Sequence, residues 1–239
     1  MLALFESEVR GVSRLTHDIV RIQIALPEGL NFQFLAGQFA MLRFDGFEAR
    51  SYSMANVPGE RTLEFFVRKM AGGSVSTFVN ERLIPGTKVS VEGPFGESFL
   101  RKSHTGPILA VAGGSGMAPI YSIVRTALAS GLKQRIHLYF GVREERDLFL
   151  IDELERLRSK HQNLSTQPVV ERCIASSGIK VGGRVGNAVL NDWPEFKGLW
   201  QAYIAGPPPM VESLIPELAK RGVAESNIFA DAFYSAVPK

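Results

Sequence analysis

Hydrophobic and polar residues alternate with a period of two from residue 5 to about residue 104. In the clearest case Val20, Ile22 and Ile24 alternate with polar neighbours, and Pro27-Glu28-Gly29 follows as a turn. Alternation of this kind is typical of strands with one buried face. Several short strands at close spacing predict a small antiparallel β-barrel or sandwich. The predicted strands are 5–13, 20–26, 37–44, 49–55, 62–69 and 87–92, with one helix at 74–83.

The pattern changes after Pro107, where short apolar strands alternate with amphipathic helices. This alternation predicts a parallel sheet with helical crossovers. The chain is therefore predicted to have two domains, an antiparallel β-barrel at 1–102 and an α/β domain with a parallel sheet at 103–239. The predicted strands of the second domain are 108–112, 135–142, 164–170, 201–205 and one near 228. Its first predicted helix follows Gly116 and ends at about 129, and three more span about 148–160, 184–191 and 210–221.

Composition excludes several classes of protein. The 239 residues are 45% hydrophobic and 21% charged, with a net charge of +3 and no Lys/Arg-rich run, so no nucleic-acid partner is expected. The apolar runs are far shorter than the ~20 residues of a membrane helix, and the N-terminus does not resemble a signal peptide, so no membrane association is expected.

Few residues have the types and spacing of a metal site. The single cysteine, Cys173, cannot form an internal disulfide or hold a four-cysteine iron–sulfur cluster. It is interpreted as a bystander in a reducing, cytoplasmic protein. The four histidines stand apart and Gly-x-Ser-x-Gly is absent, so neither a metal site nor hydrolytic chemistry is expected.

The stretch Arg50-Ser51-Tyr52-Ser53 combines a cation, an aromatic ring and two hydroxyls on one predicted strand. Because side chains alternate across a strand, Arg50 and Tyr52 share one face, and the two serines point the other way unless the strand kinks. Arg suits a phosphate and Tyr can stack on a flat heterocycle. The pair can therefore grip a planar, phosphate-bearing cofactor, although an ordinary half-buried strand can have the same composition.

Gly72-Gly73-Ser74-Val75-Ser76 opens the predicted helix of the first domain. Glycines allow close backbone approach, the amides of a first helical turn are unpaired, and the helix dipole adds partial positive charge. The segment is a candidate anion site, to which Arg50 can contribute if the two strands are neighbours. The alternative is a helix merely capped by Ser74 after a flexible turn.

Two turns of the second domain follow the carboxyl ends of predicted strands, where parallel sheets bind ligands. They are Gly113-Gly114-Ser115-Gly116-Met117-Ala118-Pro119 and Ala205-Gly206-Pro207-Pro208-Pro209-Met210. The first of them is neither a dinucleotide fingerprint nor a P-loop. A stiff proline turn opposite a glycine turn predicts a defined slot, although both kinds of turn also begin helices without any ligand.

Two further segments are candidates for ligand contact. After Gly141, the cations Arg143 and Arg146 could take a 2′-phosphate, whereas Glu145 and Asp147 would repel it, and surface solvation is the alternative. Near the C-terminus, Phe233-Tyr234 either cap a flat ligand or only pin the tail.

Together these motifs resemble the ferredoxin–NADP⁺ reductase superfamily, specifically its NAD(P)H-dependent flavin branch with the reductase components of bacterial oxygenases. Each motif alone is weak, but seven occur in the right order across nearly the whole chain. They are Arg50-x-Tyr52-Ser53, Gly73-x-x-Ser76, Gly93-Pro94-Phe95-Gly96, Gly113 to Pro119, Gly141-Val142-Arg143, Ala205-Gly206-Pro207-Pro208 and Asp231-Ala232-Phe233.

The resemblance implies an FAD-binding barrel followed by an NAD(P)H-binding α/β domain, with roles for individual residues. Tyr52 would stack on the isoalloxazine, Ser53 would hydrogen-bond near the flavin N5, and Phe233 would cover the flavin face that the nicotinamide must occupy; these three are the implied catalytic residues. The other implied cofactor-binding residues are Arg50 and Ser51, with Arg50 on the FAD pyrophosphate; Val67 and Arg68 beside the flavin; Gly73, Ser74, Val75 and Ser76 around the pyrophosphate; Gly114 and Ser115 on the nicotinamide side; Gly206, Pro207 and Met210 across the slot; and Arg143.

The implied activity is transfer of hydride to FAD from NADH, which is expected in preference to NADPH. Single electrons then pass to an iron–sulfur partner, either a ferredoxin or an oxygenase component. A monomer is expected. Many relatives carry Cys at the position of Ala205, and oxygenase reductases usually carry a 2Fe–2S domain that one cysteine cannot supply, so the chain is either a fragment or donates to a separate protein. Two alternatives remain: a reductase of free flavin, and a non-catalytic electron-relay or regulatory flavin subunit.

Overall fold

The computed structural model describes residues 2–172 and 182–234, so Cys173 lies outside the described residues. The first six strands and one helix precede residue 96, and a second group of strands and helices follows residue 107. The first group is β1 Ala3–Arg14, β2 Ile19–Ala25, β3 Phe39–Phe44, β4 Arg50–Ser53, β5 Thr62–Arg68, α1 Ser74–Glu81 and β6 Lys88–Phe95. The second is β7 Ile108–Gly113, α2 Met117–Ala129, β8 Ile136–Val142, α3 Ile151–Lys160, β9 Leu164–Val170, α4 Val185–Asp192, β10 Gln201–Gly206, α5 Pro208–Lys220 and β11 Ile228–Ala232.

The six strands of the first group form one antiparallel sheet in the order β4-β3-β6-β1-β2-β5. A bridge between Met54 and Phe65 joins the two end strands, so the sheet is a nearly closed barrel. The alternation predicted for β2 is present: Ile22 and Ile24 are fully buried, and the polar side chains between them are partly exposed. Helix α1 adds Val75 and Val79 to the barrel core. The expected antiparallel barrel is confirmed.

The second group forms a parallel sheet in the order β11-β10-β7-β8-β9. Residues of β7 alternate between two cores: Ala110 packs with α2 and α3, and Val111 packs with α4 and α5. Every residue of β7 is buried because helices cover both faces of the sheet. The expected α/β domain is confirmed.

Of the two cores that flank the parallel sheet, the one formed with α2 and α3 also includes residues of the barrel. Ile19, Ala55 and Phe66 belong to the barrel strands and loops, yet they pack in the cluster formed by α2 and the parallel sheet. The Ser122 hydroxyl of α2 also donates to the Asn56 carbonyl across this boundary, at 2.6 Å. These contacts set the position of the barrel against the carboxyl edge of the parallel sheet.

Two helices begin at positions that periodicity did not predict. Helix α3 starts at Ile151 rather than near 148, because a short 3-10 turn at Glu145–Asp147 and Leu150 with a φ of 59° come first. Helix α5 starts at Pro208, before the predicted Met210, because proline is well tolerated in a first helical turn. Among the described residues, none of the helices has the length and apolar character that a membrane crossing requires.

Candidate functional site

A cleft of about 690 Å³ lies between the barrel and the carboxyl edge of the parallel sheet. It brings together most of the residues predicted from the sequence. The predicted residues that line it are Arg50, Ser51, Tyr52, Ser53, Arg68, Gly73, Ser74, Val75, Ser76, Ser115 and Phe233. A cleft of this size with a few polar groups is typical of a small-molecule or cofactor site.

All four residues of β4 line the cleft, although alternation predicted that the two serines face away from Arg50 and Tyr52. The reason is the position of β4, which is an end strand of the barrel and pairs along its length only with β3. A ligand can therefore reach both rows of its side chains. Ser53 lines the cleft and is buried. Burial raises the pKa of Tyr52 to about 12, against the opposing effect of the Arg50 charge. Tyr52 is thus a neutral phenol at physiological pH.

Arg50 is folded against its own strand. Its Nη2 donates to Glu48 Oε2 at 2.7 Å and its Nη1 donates to the Ala49 carbonyl at 3.0 Å. The Glu48 side chain is 81% exposed, and an ion pair so exposed contributes only about 0–1 kcal/mol. Exchanging this carboxylate for a phosphate therefore costs little, and Arg50 fits the role of a phosphate ligand.

The N-terminus of α1 faces the same cleft. Gly73 is its N-cap residue, no side chain caps the helix, and its first turn contains no acidic residue. The Ser76 hydroxyl accepts from the Met70 N–H at 3.0 Å and donates to the Gly73 carbonyl at 3.2 Å, so it holds the loop. A Cβ on Gly73 would lie 2.6 Å from Ser76 Oγ. The donor set suited to an anion is therefore the main-chain amides, and glycine keeps the approach open.

Arg68 and Val67 differ in their placement. Arg68 lines the cleft and its Nε donates to Asp18 Oδ2 at 2.7 Å. Burial by itself would raise the pKa of Asp18, but the hydrogen bond and charge of Arg68 lower that pKa below its usual range. Val67 is fully buried in the barrel core and does not line the cleft, because it occupies the alternate, inward position of β5. Only the main chain of Val67 can lie beside a cleft ligand.

Asp231 is a cleft residue to which the sequence analysis assigned no role. The Ser53 hydroxyl donates to Asp231 Oδ2 at 3.5 Å, across the boundary between β4 and β11. Burial raises the pKa of Asp231, and the hydrogen bond from Ser53 only partly opposes this. A partly buried carboxyl with a perturbed pKa in a cleft is a candidate functional group. The sequence signal that could have identified Asp231 is its place in the motif Asp231-Ala232-Phe233, in which only Phe233 was assigned a role.

Phe233 reaches the cleft from the end of β11. Its N–H donates to the Gly206 carbonyl at 2.9 Å, which ties the C-terminal segment to the end of β10. Phe39 and Phe66 are further aromatic walls of the cleft that periodicity identified only as strand residues. The cleft thus combines aromatic side chains with Arg50 and the N-terminus of α1.

The two turns after β7 and β10 pack directly against each other. A Cβ on Gly116 would lie 2.1 Å from the Ala205 carbonyl oxygen, and one on Gly206 would lie 3.0 Å from Gly113 Cα. Pro207 and Met210 pack over Gly113 in the same way. Of the residues predicted for this slot, only Ser115 lines the cleft. The others lie at or just after the ends of β7 and β10 and do not line it; they are Gly114, Gly206, Pro207 and Met210.

We expect Gly116→Ala to destabilise the protein by about 2 kcal/mol, because the added methyl overlaps main-chain atoms that cannot rotate away. The measurement is the free energy of unfolding in denaturant. The matched control is Gly186→Ala in α4, where the nearest atom is Leu214 Cδ1 at 3.9 Å and the change should be neutral or slightly stabilising. Equal stability of the two variants would contradict the close packing of the turns.

Arg143 lies apart from the cleft. It is exposed at the carboxyl end of β8, and its carbonyl accepts from the Arg172 N–H at 2.8 Å. The turn that follows it is the 3-10 turn at Glu145–Asp147. A ligand spanning the carboxyl edge of the sheet could meet Arg143 only beyond β8.

Comparisons with known proteins agree with this geometry. Residues 6–99 match the oxidoreductase FAD-binding domain family and residues 110–214 match the oxidoreductase NAD-binding domain family. The chain is 41% identical over 231 residues to the ferredoxin–NAD(P)⁺ reductase component of the naphthalene 1,2-dioxygenase/salicylate 5-hydroxylase systems of a Ralstonia species, covering 97% of this chain and 69% of that protein.

Solved structures show the same architecture. The cytochrome P450 reductase GcoB of Amycolatopsis superposes with a TM-score of 0.91 at 29% identity, covering 99% of this chain and 71% of that chain. A ferredoxin NADP⁺ reductase of Neisseria gonorrhoeae with bound FAD and NADP superposes with a TM-score of 0.83 at 22% identity, covering 97% and 99%, which is a likeness of fold.

Proposed function

The chain belongs to the ferredoxin–NADP⁺ reductase superfamily, in the branch of NAD(P)H-dependent oxygenase reductase components, and on that premise we propose that it retains FAD, prefers NADH and donates single electrons to an iron–sulfur protein. The partner is a ferredoxin or an oxygenase component. FAD is assigned to the barrel at 1–102 and the coenzyme to the α/β domain at 103–239. The mixed charges after Gly141 support NADH as the donor.

The single observation that carries the proposal is the composition of the cleft. An uncapped helix N-terminus and Arg50 line the cleft that also contains Ser53, Asp231 and Phe233. A reductase of free flavin does not need a pyrophosphate grip, so the α1 amides with Arg50 favour a retained dinucleotide. When bound, a flavin accepts two electrons together as hydride and releases them one at a time.

The residues of the chain supply binding, orientation and charge. Arg50 and the α1 amides would bind the negative charge of a pyrophosphate, and the Tyr52 ring would supply a flat surface for a bound ring system. When ionised, Asp231 would supply negative charge that favours the loss of hydride from a bound nicotinamide, and the Ser53 hydroxyl that donates to this carboxyl would be available to hydrogen-bond a bound ring. Ala205 supplies no thiol, so Ser53 and Asp231 are the polar side chains assigned to the reacting end of the cleft.

The decisive experiment is an absorbance spectrum after gel filtration, followed by anaerobic addition of NADH and then NADPH. A yellow protein that bleaches with NADH supports the proposal. A colourless protein that oxidises coenzyme only with added flavin would mean a free-flavin reductase. A yellow protein that neither coenzyme bleaches would mean a non-catalytic flavin subunit.

We expect Phe233→Ala to lower the Michaelis constant for NADH by about threefold to tenfold, because stacking worth roughly 0.5–1.5 kcal/mol no longer competes with the nicotinamide. The measurement is steady-state kinetics with an artificial one-electron acceptor. Phe233→Trp keeps an aromatic ring and is the matched control, whose Michaelis constant should stay near the wild-type value. A Michaelis constant that does not move in the alanine variant would mean that another residue covers the flavin.

A further inference from the structure

The linker at 96–107 joins β6 to β7, and its first part is packed against the barrel. The Leu100 N–H donates to the Ala36 carbonyl at 2.9 Å. A Cβ on Gly37 would lie 3.0 Å from Phe99 Cα, so the main chains of the two segments are in close contact. This part of the linker is therefore held by the barrel.

The Arg101 side chain joins the linker to β11. Its guanidinium carbon lies 3.4 Å from the centroid of the Phe99 ring, in the linker, and 4.7 Å from that of the Phe229 ring, in β11. Its Nη2 donates to the Glu97 carbonyl at 2.9 Å, so the linker main chain fixes the guanidinium. A planar guanidinium over aromatic faces gains a cation–π attraction. One side chain thus contacts rings on both sides of the domain boundary.

The main chain of Arg101 makes a second contact, with β10. The Arg101 N–H donates to the Tyr203 hydroxyl at 2.7 Å, and that hydroxyl donates to Gln201 Oε1 at 2.6 Å. Burial raises the pKa of Tyr203 to about 12, so the hydroxyl keeps its proton at physiological pH. The Tyr203 ring stacks on Phe229, with ring centroids 5.4 Å apart. Arg101 is therefore bound to the two strands at this edge of the parallel sheet.

The ring that Arg101 contacts lies in the same row of β11 as two cleft residues. Phe229 packs against the core formed by α2 and α3, whereas Ala230 and Ala232 pack against the opposite core. Because side chains alternate along a strand, Asp231 lies on the same face as Phe229. Phe233 follows two residues later, and both it and Asp231 line the cleft. A contact that fixes Phe229 therefore also orients the cleft residues that follow it.

We propose that Arg101 is a positioning residue, which holds β11 against the linker and thereby orients Asp231 and Phe233. This inference rests on the proposed function, which assigns those two residues to the reacting end of the cleft. Arg101 does not itself line the cleft, so it acts through β11. Among the described strands β11 is an end strand that pairs with β10 alone, so a side-chain contact is needed to fix its other edge.

The test is Arg101→Ala, measured by anaerobic stopped-flow reduction of the flavin with NADH. We expect the limiting rate to fall about threefold to tenfold, and the dissociation constant for NADH to fall about threefold because Phe233 covers the cleft less, on the scale of one lost cation–π contact. Loss of folded protein alone would lower the signal amplitude and change neither constant. Adding Arg101→Ala to Phe233→Ala should leave the dissociation constant unchanged.

Two outcomes of these kinetics would overturn the inference. One is a dissociation constant in Arg101→Ala that equals that of the wild type. The other is a further fall of the dissociation constant when Arg101→Ala is added to Phe233→Ala, because Arg101 would then act by a route other than Phe233.

Further variants separate this contact from a general loss of packing. Phe229→Leu keeps an apolar side chain against Tyr203 but removes the ring, so it should reproduce both effects of Arg101→Ala, and wild-type constants would contradict the proposal. Arg101→Lys keeps the charge without the planar guanidinium and should recover part of the lost rate. The matched control is Arg82→Ala, which removes a guanidinium 5.5 Å from the Phe78 ring within the barrel and should leave both constants unchanged.

Hydrogen exchange of the purified protein without coenzyme gives a readout that does not need reductase activity. The Phe233 N–H donates to the Gly206 carbonyl at 2.9 Å. We expect this amide to exchange about tenfold faster in Arg101→Ala, whereas the Leu154 amide, bonded to the Leu150 carbonyl at 2.8 Å, should exchange as in wild type. If the wild type oxidises neither coenzyme, the proposed function fails. Faster exchange at Phe233 would still support the role of Arg101, and equal exchange would refute it.

Discussion

Asp231→Asn is expected to slow reduction of the flavin by NADH by about tenfold to a hundredfold, while raising the melting temperature at neutral pH. The rate falls because the variant lacks the negative charge that stabilises the nicotinamide as it loses hydride, and such preorganised charges contribute about 2 kcal/mol or more. Stability rises because asparagine removes a carboxylate whose ionisation is opposed by burial. The rate is measured by stopped-flow absorbance under anaerobic conditions.

The pH dependence follows from the raised pKa of Asp231. The folded protein holds this proton more tightly than the unfolded chain, whose carboxyl titrates near 3.8. The stabilising contribution of the protonated form is therefore complete below that value and is lost as pH rises through the raised folded pKa. The melting-temperature difference between Asp231→Asn and wild type should be largest at neutral pH and should shrink as pH falls.

The wild-type rate should decline in the same range, as the carboxylate is protonated, whereas the Asp231→Asn rate should stay flat. Asp45→Asn is the control, since Asp45 is an exposed turn residue of the barrel. Its rate and its pH profile should match those of the wild type. A wild-type rate of flavin reduction that does not change with pH, or an Asp231→Asn variant with the wild-type rate, would exclude a role for the carboxylate charge.

Arg50→Ala is expected to weaken FAD binding about tenfold to a hundredfold, because a charge-assisted phosphate contact of roughly 1.5–3 kcal/mol is lost. Glu48→Gln should have the opposite sign and a smaller size, since Glu48 competes for the same guanidinium at 2.7 Å. The measurement is flavin occupancy after dialysis, followed by titration of the flavin-free protein with FAD.

Arg43→Ala provides the control for charge alone. Arg43 is exposed on β3, the strand next to β4, and it does not line the cleft. Its removal should leave occupancy unchanged. Equal occupancy in Arg50→Ala and wild type would remove Arg50 from the pyrophosphate site and leave the α1 amides as its ligands.

Local patterning by itself determined the secondary structure and the two kinds of sheet. Period-two alternation, as in Ile22 and Ile24, needs only the sequence, because a strand with one buried face imposes it. Buried runs such as Ile108 to Ala112, followed by amphipathic helices, indicate a parallel sheet for the same reason. The ordered motifs also identified most of the cleft residues, since phosphate and flavin contacts use particular residue types in short segments.

Only the tertiary structure decided which of these segments meet. The contact between Ser53 and Asp231 joins residues that are 178 positions apart in the sequence, and no local sequence pattern relates residues so far apart. Because β4 is an end strand of the barrel sheet, side chains on both of its faces line the cleft. Because the Val67 side chain points into the barrel core, it does not line the cleft. The approach of Arg172 to Glu144, at 3.5 Å, likewise depends on the pairing of β8 with β9. Alternation and turn chemistry act over a few residues, whereas the site is assembled by packing between two domains.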